Sequence, residues 1–271
     1  MSIEMSSLKV VINTCSFDEK DIKIGYTLLS LATQRLPASI DSLDITILDK
    51  GLYSLNVDQR VNLIINILRA KGHRICVIRS KKENIALARK TLLDTVDWAK
   101  HSYVLMVDDD LLLDTDTLLN LVSAIPETPW GFIQGTKIEA NPDKKYNNDI
   151  NKLNKTQVDQ SSMIPLLFGD AACLLLSREG YKSIDWGVVT KSAYKDIAGE
   201  DVVMSLQISN SLPCYGMTQA VGYHIAASSP RWDWETPTDV LSVRALLGIV
   251  SADKLREVFP HLEERIEKEN A

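Results

Sequence analysis

The chain has 271 residues, enough for one large domain or two small ones, of which 45% are hydrophobic and 24% charged. This balance is typical of a globular protein and excludes wholesale disorder, a collagen-like repeat and a coiled-coil rod. The chain carries 30 Lys and Arg against 36 Asp and Glu, a net charge of −6, so it lacks the global basic field that a duplex nucleic acid partner requires.

Apolar runs in this sequence are too short to cross a membrane. The longest, residues 166–176, is interrupted by Gly169 and Asp170 and falls short of the roughly 18 residues that a span needs. Residues 1–7 have neither the basic nor the apolar region of a signal peptide, so we expect a cytoplasmic protein, with peripheral membrane contact left open. The cysteines form no Cys-x-x-Cys pair and are predicted to be reduced, mostly buried thiols. They are Cys15, Cys76, Cys173 and Cys214.

In the first half of the chain, short apolar runs alternate with segments of helical periodicity. The predicted strands are residues 8–15, 43–49, 74–78 and 103–107. The predicted helices are residues 23–34, 57–70, 84–99 and 115–125. This order predicts a mostly parallel sheet with helices on both faces, in which ligands bind at the carboxyl ends of the strands.

The pattern changes in the second half. The predicted strands there are residues 130–138, 166–176 (with a bend at Gly169) and 214–223. The predicted helices are residues 200–209, 238–250 and 252–267. The polar stretch at residues 141–162 is predicted to be a long exposed loop, and a loop of that length is usually functional or mobile.

The most informative motif, at residues 104–111, is an apolar strand that ends in three acids, Val-Leu-Met-Val-Asp-Asp-Asp-Leu. Residues two apart in an extended strand point the same way, so Asp108 and Asp110 are predicted to share one side and Asp109 to face the other. Two carboxylates at the carboxyl end of a parallel strand form a site suited to Mg²⁺ or Mn²⁺. The alternative is a solvated acidic turn that leads into the next helix.

Two further motifs carry groups that are useful in catalysis. Glu200 and Asp201 follow Gly199 in the first turn of a predicted helix, where the helix dipole stabilises a carboxylate. The pair is therefore either plain dipole compensation or contains a base held ionised at neutral pH. His224 follows directly on a predicted strand and is either structural or a ligand suited to Mn²⁺.

These pieces occur in the order found in the family 2 glycosyltransferases of GT-A fold, which the sequence resembles over roughly residues 9–224. The shared order is a strand-ending Asp-x-Asp, a Gly-Glu-Asp about 90 residues later and a strand-ending His. The segment at residues 84–89, Asn-Ile-Ala-Leu-Ala-Arg, is similar to the family's Asn-x-x-x-Ala-Arg.

The resemblance implies an α/β protein with the GT-A (nucleotide-diphospho-sugar transferase) fold, a Rossmann-like, mostly parallel sheet flanked by helices. The catalytic domain would span residues 1–225, with a donor half at about 1–110 and an acceptor half at about 111–225. Residues 226–271 would form a C-terminal loop and helical appendage packed on the same domain.

The resemblance also implies which residues contact the donor, a nucleotide-diphosphate sugar. By similarity, Asp49 contacts the nucleobase or ribose, Arg89 faces the nucleotide and Asp108 touches the ribose side. For Arg89 the alternative is an ion pair on the helix surface. The full set assigned to the nucleotide is Asn13, Thr14, Asp49, Arg89, Asp108 and Asp109.

By the same similarity, Asp110, together with Asp108 and His224, would hold Mn²⁺ or Mg²⁺ at the diphosphate. A bound cation stabilises the charge that develops on a nucleoside diphosphate leaving group. Asp201 matches the general base that deprotonates the acceptor hydroxyl. Glu200 would orient the acceptor or support Asp201.

Other residues are assigned to the sugar with alternatives left open. Asp170 would hydrogen-bond hydroxyls of the donor sugar, or it marks a bulge in a buried strand. Trp186 would line the acceptor site, or it is a core tryptophan. Trp232 and Trp234 would contact the donor, with Arg231 on phosphate, or they form an apolar latch for the C-terminal helices.

The sequence therefore predicts a metal-dependent, inverting, non-processive glycosyltransferase that uses a nucleotide sugar, with UDP favoured, and a hydroxyl acceptor. That acceptor is a glycan, a lipid-linked glycan, a protein or a small molecule. The alternatives are a retaining enzyme of the same fold, a nucleotidyltransferase and a non-catalytic sugar-nucleotide-binding protein. The segment at residues 13–20 contains no Gly for the phosphate loop of a nucleotidyltransferase. A P-loop and a nucleophile elbow are absent from the sequence.

Overall fold

The structure is a computed structural model, and parts of the chain are described by it. The described residues are 7–14, 23–50, 54–80, 84–139, 163–166, 168–192, 200–225, 247–248, 251–258 and 263–270. The predicted loop at 141–162 and nearly all of the predicted helix at 238–250 lie outside them. Among the described helices, none is long and apolar enough to cross a membrane.

The strands belong to a single sheet. They are β1 (Ser7–Asn13), β2 (Ser42–Asp49), β3 (Arg74–Arg79), β4 (Tyr103–Asp108), β5 (Leu111–Leu113), β6 (Phe132–Glu139), β7 (Met163–Pro165), β8 (Cys173–Ser177) and β9 (Tyr215–His224). The α-helices are α1 (Lys23–Ala32), α2 (Gln59–Ala70), α3 (Ile85–Asp94), α4 (Thr117–Ser123), α5 (Arg178–Lys182), α6 (Trp186–Ser192), α7 (Glu200–Ser209), α8 (Ala252–Val258) and α9 (Glu263–Asn270). A short 3₁₀ helix at Leu55–Val57 precedes α2.

The strand order is β3-β2-β1-β4-β8-β6-β9-β5, and β7 pairs with β9. The first four of these strands are parallel, as the sequence predicts. β8 runs antiparallel to β4 and β6, and β9 runs parallel to β6. As a result, the carboxyl ends of β1, β2, β4, β6 and β9 and the start of β8 meet at one edge of the sheet.

The sheet separates two apolar cores, and the alternation of side chains along the strands assigns residues to each. On β1, Leu8, Val10 and Ile12 lie in the core formed with α1 and α2. Val11, between them, lies in the opposite core with residues of α3, α6 and α7. Because both faces are buried, apolar residues occupy successive positions 10–12 of β1 rather than alternate ones.

The structure corrects two sequence-based expectations, a single strand at residues 166–176 and a single helix at residues 252–267. The described residues of 166–176 do not form one strand, because among them β-structure begins only with β8 (Cys173–Ser177). A Cβ at Gly169 would lie 2.8 Å from Gln134 Oε1, so the chain passes close to β6 before β8 begins. The described residues of 252–267 belong to two helices, α8 and α9.

Of the described cysteines, Cys173 and Cys214 are buried as expected, whereas Cys76 is exposed because β3 is an edge strand. Among the described strands, β5 and β7 were not predicted, being only three residues long each.

Candidate active site

Charged side chains converge on the sheet edge where the strands end. Asp108 ends β4, Lys137 lies near the end of β6 and His224 ends β9. Asp170 comes just before β8, which starts at the same edge. Asp108, Lys137 and His224 thus lie at the carboxyl ends of strands, where ligands of α/β sheets usually bind.

The strand order reverses between β1 and β4, and this switch point lies within the same edge. Asn13 and Asp108 are register partners there, each at the last position of its strand. Crevices at such switch points are the usual ligand sites of open α/β sheets. Thr14 follows Asn13, and its hydroxyl accepts a hydrogen bond from the backbone N–H of Lys50.

Asp109 and Asp110 form the turn that joins β4 to β5, so the three acids do not form one extended strand. The antiparallel pairing of β5 with β9 brings Leu111 opposite His224. His224 Nε2 and Asp110 Oδ2 are 3.1 Å apart, and both side chains are about four-fifths buried. Asp109, which precedes Asp110 in the chain, is also buried. The turn, rather than strand periodicity, thus gives Asp110 and His224 their contact.

Electrostatics keep Asp110 ionised. Burial raises the pKa of Asp110, but the hydrogen bond with His224 and the charges of His224, Lys23 and Lys137 lower it by more. The pKa of Asp110 is therefore below its ordinary value. In contrast, burial and the carboxylates of Asp170 and Asp110 raise the pKa of Asp108 against the opposing charge of Arg89.

The donor set at this edge fits a hard divalent cation. Mg²⁺ is usually bound by one or two carboxylates together with substrate phosphates, and imidazole is an accepted ligand for transition metals. Asp110 and His224, in contact, supply one carboxylate and one imidazole. The described residues contain no group of three His, Cys, Asp or Glu side chains placed to hold a metal by themselves. The remaining ligands would therefore come from the substrate and water.

Arg89 connects two acids from distant parts of the chain. Its Nε donates to Glu200 Oε1 at 2.6 Å, and its Nη2 donates to Asp108 Oδ1 at 3.1 Å. Burial lowers the pKa of Arg89, but the carboxylates of Asp108, Glu200 and Asp201 raise it above its ordinary value, so the guanidinium stays charged.

Asn84, the first residue of the family-like segment, caps α3 by accepting from Leu87 N at 2.7 Å. The cap thus fixes the start of the helix that carries Arg89.

Glu200 and Asp201 lie in the first turn of α7, as the sequence predicts. Glu200 is buried against Arg89, and Asp201 is half-buried. Burial, and then repulsion from Glu200 and Asp170, raise the pKa of Asp201 well above the ordinary value of an aspartate. The lowering of the pKa expected from the N-terminus of α7 is therefore outweighed at Asp201. Its carboxylate has an increased affinity for a proton. This is the property that a general base needs near neutral pH.

Asp170 is held by several contacts. Its Oδ2 accepts from Lys137 Nζ, and its Oδ1 accepts from the backbone N–H of Ala172 at 2.9 Å. Its own N–H donates to Gln134 Oε1 at 2.9 Å. Burial raises the pKa of Asp170, but the charge and hydrogen bond of Lys137 lower it below the ordinary value.

Asp49 lies at the end of β2 but is fully buried. Its Oδ2 accepts from Arg79 Nη1 at 2.8 Å and from the backbone N–H of Leu55 at 2.9 Å. These contacts join the end of β2 to β3 and to the 3₁₀ helix, so a direct contact of Asp49 with a nucleotide stays a prediction. Trp186 packs against the core beside α7. Trp232, Trp234, Arg231 and Gly199 lie outside the described residues.

Lys137 and Gln134 are the described site residues that the sequence analysis missed. Both lie on β6, and the sequence pattern alone predicts that a polar residue in a strand is exposed to solvent. Gln134 is buried and Lys137 is 16% exposed. A signal was present for Lys137, because a charge near the end of a strand points to the ligand edge of the sheet.

Comparisons with known proteins agree with this architecture. The model of the family described as glycosyl transferase family 2 matches residues 24–185, more than half of the chain. No curated protein sequence matches the chain.

Three solved structures illustrate the structural likeness. A structure of TarS 1-349 from S. aureus has 13% identity and a TM-score of 0.54, over 92% of this chain and 65% of that one. The mannosyltransferase PcManGT from Pyrobaculum calidifontis, in complex with GDP-Man and Mn²⁺, has 13% identity and a TM-score of 0.58, over 96% of this chain and 68% of that one. GalNAc-T7 with UDP, GalNAc and Mn²⁺ has 12% identity and a TM-score of 0.57, over 98% of this chain and 55% of that one.

The chain thus spans between about half and two thirds of the length of these neighbours. At such low identity the likeness establishes the fold alone. That fold is the α/β GT-A fold that the sequence predicts, confirmed for residues on both sides of the switch point.

Proposed function

The chain belongs to glycosyl transferase family 2, and we propose that it is a metal-dependent, inverting, non-processive glycosyltransferase. Its donor is a nucleotide-diphosphate sugar, with UDP favoured, and its acceptor is a hydroxyl group. The observation that carries the proposal is the placement of Asp201, whose pKa is raised, at the same sheet edge as the Asp110–His224 pair.

In the proposed reaction, Asp201 removes the proton from the acceptor hydroxyl as its oxygen attacks the anomeric carbon of the donor sugar. Attack comes from the face opposite the nucleoside diphosphate, so the configuration inverts. The bond between the anomeric carbon and the diphosphate oxygen breaks, and the diphosphate leaves with the electron pair. General-base assistance of this kind contributes roughly 10²–10⁴-fold to a rate.

Asp110 and His224 would hold Mn²⁺ or Mg²⁺, with Asp108 beside them on the ribose side. The bound cation would supply positive charge for the departing diphosphate. Glu200 is an unsuitable base, because it is buried and its Oε1 accepts from Arg89. It supports Asp201 instead, since its negative charge is one cause of the raised pKa of Asp201.

The nucleotide would lie at the switch point between β1 and β4, near Asn13, Thr14 and Asp108. Trp232 and Trp234 stay candidates for the donor site on the sequence alone. One structural neighbour was solved with GDP-Man and another with UDP, so both bases belong in any donor screen.

The test is a donor screen with UDP-, GDP- and dTDP-sugars and Mn²⁺, scored by release of the nucleoside diphosphate in the presence of glycan, lipid-linked and small-molecule acceptors. We expect release of nucleoside diphosphate together with a product of inverted anomeric configuration. Release of pyrophosphate would identify a nucleotidyltransferase, and retained configuration would identify a retaining enzyme. Donor binding without turnover across the panel would favour a binding protein.

A further inference from the structure

Asp170 is the most tightly constrained acid at the sheet edge. Both carboxylate oxygens have donors, Ala172 N for Oδ1 and Lys137 Nζ for Oδ2. Its backbone is fixed by the bond to Gln134. The preceding residue has to be glycine, because a Cβ at Gly169 would approach Gln134 and Phe132 within 3 Å. These four restraints therefore specify one orientation of the Asp170 side chain.

The need for this restraint follows from the charges around Asp170. The carboxylates of Asp108 and Asp201 interact unfavourably with it, while Lys137 and Arg89 interact favourably. Arg89 is committed to Glu200 and Asp108 by direct hydrogen bonds. Among the described residues, Lys137 on β6 is thus the cation that binds Asp170 directly.

The pair is only partly withdrawn from solvent. The side chain of Lys137 is 16% exposed and that of Asp170 is 25% exposed. A carboxylate has about four lone-pair positions, so Asp170 keeps acceptor capacity beyond its two bonds. Asp170 lies close enough to Asp108 and to the proposed base Asp201 for its charge to act on both.

We propose that Lys137 is a positioning residue, which holds the Asp170 carboxylate in place to accept hydrogen bonds from hydroxyls of the transferred sugar. The inference rests on the proposed function. It implies that the pair determines affinity for the sugar of the donor, whereas affinity for the nucleoside diphosphate is set at the switch point and by the cation. A lysine that bound the diphosphate directly would behave differently, because its loss would weaken both ligands equally.

The experiment compares two probes by calorimetry with Mn²⁺ present. One is whichever of UDP-glucose, UDP-N-acetylglucosamine and GDP-mannose binds the wild-type protein most tightly, and the other is the matching nucleoside diphosphate. Lys137→Met should weaken binding of the nucleotide sugar by roughly 10- to 100-fold, the range for hydrogen bonds to a charged group, and raise KM more than it lowers kcat. Binding of the nucleoside diphosphate should stay within about twofold of wild type, because no hydrogen bond to it is lost.

Three further variants complete the test. Asp170→Asn should give the same selective loss, and the Lys137→Met, Asp170→Asn double variant should be no worse than either single variant. Lys137→Arg, which keeps the charge, should recover most of the affinity. Lys182→Met is the matched control, because Lys182 is exposed on α5, away from the sheet edge. If Lys137→Met does not fold, Lys137→Gln provides the same comparison.

Several outcomes would overturn the inference. Equal losses for the nucleotide sugar and the nucleoside diphosphate would make Lys137 a phosphate ligand. Losses that multiply in the double variant would show that Lys137 and Asp170 act independently. A wild-type protein that binds none of these nucleotides would contradict the proposed function itself, whereas normal wild-type binding with unchanged Lys137→Met affinity would contradict only the role of Lys137.

Discussion

Arg89 and Glu200 form a buried ion pair, with Arg89 Nε 2.6 Å from Glu200 Oε1, although 111 residues separate them in the chain. The same guanidinium binds Asp108 at the end of β4. One side chain of α3 therefore ties the first turn of α7, which carries the proposed base, to the strand end that carries the Asp-x-Asp motif. We therefore expect the relative position of the proposed base and the proposed donor site to depend on this connection.

The first prediction concerns that ion pair. Arg89→Met would leave Glu200 buried without its partner, which typically costs about 3–5 kcal/mol of unfolding free energy. We expect a loss of this size in urea denaturation. Arg89→Met combined with Glu200→Met should recover only part of it, because Glu200 is then no longer a buried unpaired charge whereas Asp108 still lacks its bond to Arg89.

The control is Lys90→Met, at the next position of α3. Lys90 pairs with Asp94 on the surface, and exposed pairs contribute only about 0–1 kcal/mol. If Arg89→Met cost no more than Lys90→Met, the pair would not be the tie between α3 and α7 that the contacts indicate.

The second prediction assigns the base. Asp201→Asn should lower transfer by on the order of 10²–10⁴ and leave donor affinity nearly unchanged, because the amide cannot accept the proton. Initial rates and calorimetric donor titrations of the folded variant test both parts. A loss of less than about tenfold would exclude Asp201 as the general base.

The third prediction is the pH dependence. A base must be deprotonated to act, so activity rises with pH through the pKa of Asp201. Because burial, Glu200 and Asp170 raise that pKa, the rising limb should lie well above the value of about 3.9 for an ordinary aspartate. Glu200→Gln removes one of the repelling charges and should move the limb to lower pH. A limb that stays in place in this variant would mean that another group controls the profile.

The fourth prediction links packing to the cation site. Gly222 is two residues before His224, and a Cβ there would lie 2.8 Å from Leu111, which is fully buried next to Asp110. Gly222→Ala should therefore cost about 1–3 kcal/mol of stability and weaken Mn²⁺-dependent nucleotide binding, because Leu111 and Asp110 must shift. Gly187→Ala, at an exposed helical position, is the control. Unchanged nucleotide affinity in Gly222→Ala would show that the site tolerates this shift.

Local patterns in the sequence predicted the elements that build the sheet edge but not every contact made there. The strand ends at Asn13, Asp108 and His224 and the helix start at Glu200 were predicted within one or two residues, because apolar runs and caps are local signals. The meeting of β9 with β5, which brings His224 to Asp110, depends on a three-residue strand too short for any periodicity.

Ion pairs between residues far apart in the chain could not be predicted from local sequence patterns. Nothing near Arg89 in the chain indicates a partner at Glu200, so its predicted contact with the nucleotide rested on resemblance. Lys137 was missed because its partner Asp170 lies 33 residues further along the chain, and nothing near Lys137 indicates that partner. The bend at Gly169 was predicted, but the close approach of Gly169 to Gln134 is a tertiary contact that local patterns do not show.

The most direct measurement is calorimetric titration of UDP and GDP into the protein with Mn²⁺ and, separately, with EDTA. We expect clear binding of at least one nucleotide with Mn²⁺ and strong weakening with EDTA. Asp110→Asn should weaken binding in Mn²⁺ as EDTA does, whereas Asp116→Asn, which changes a surface partner of Arg35, should bind like the wild type. Equal affinity with Mn²⁺ and with EDTA would contradict the cation site at Asp110 and His224, and with it the metal-dependent transfer proposed for this protein.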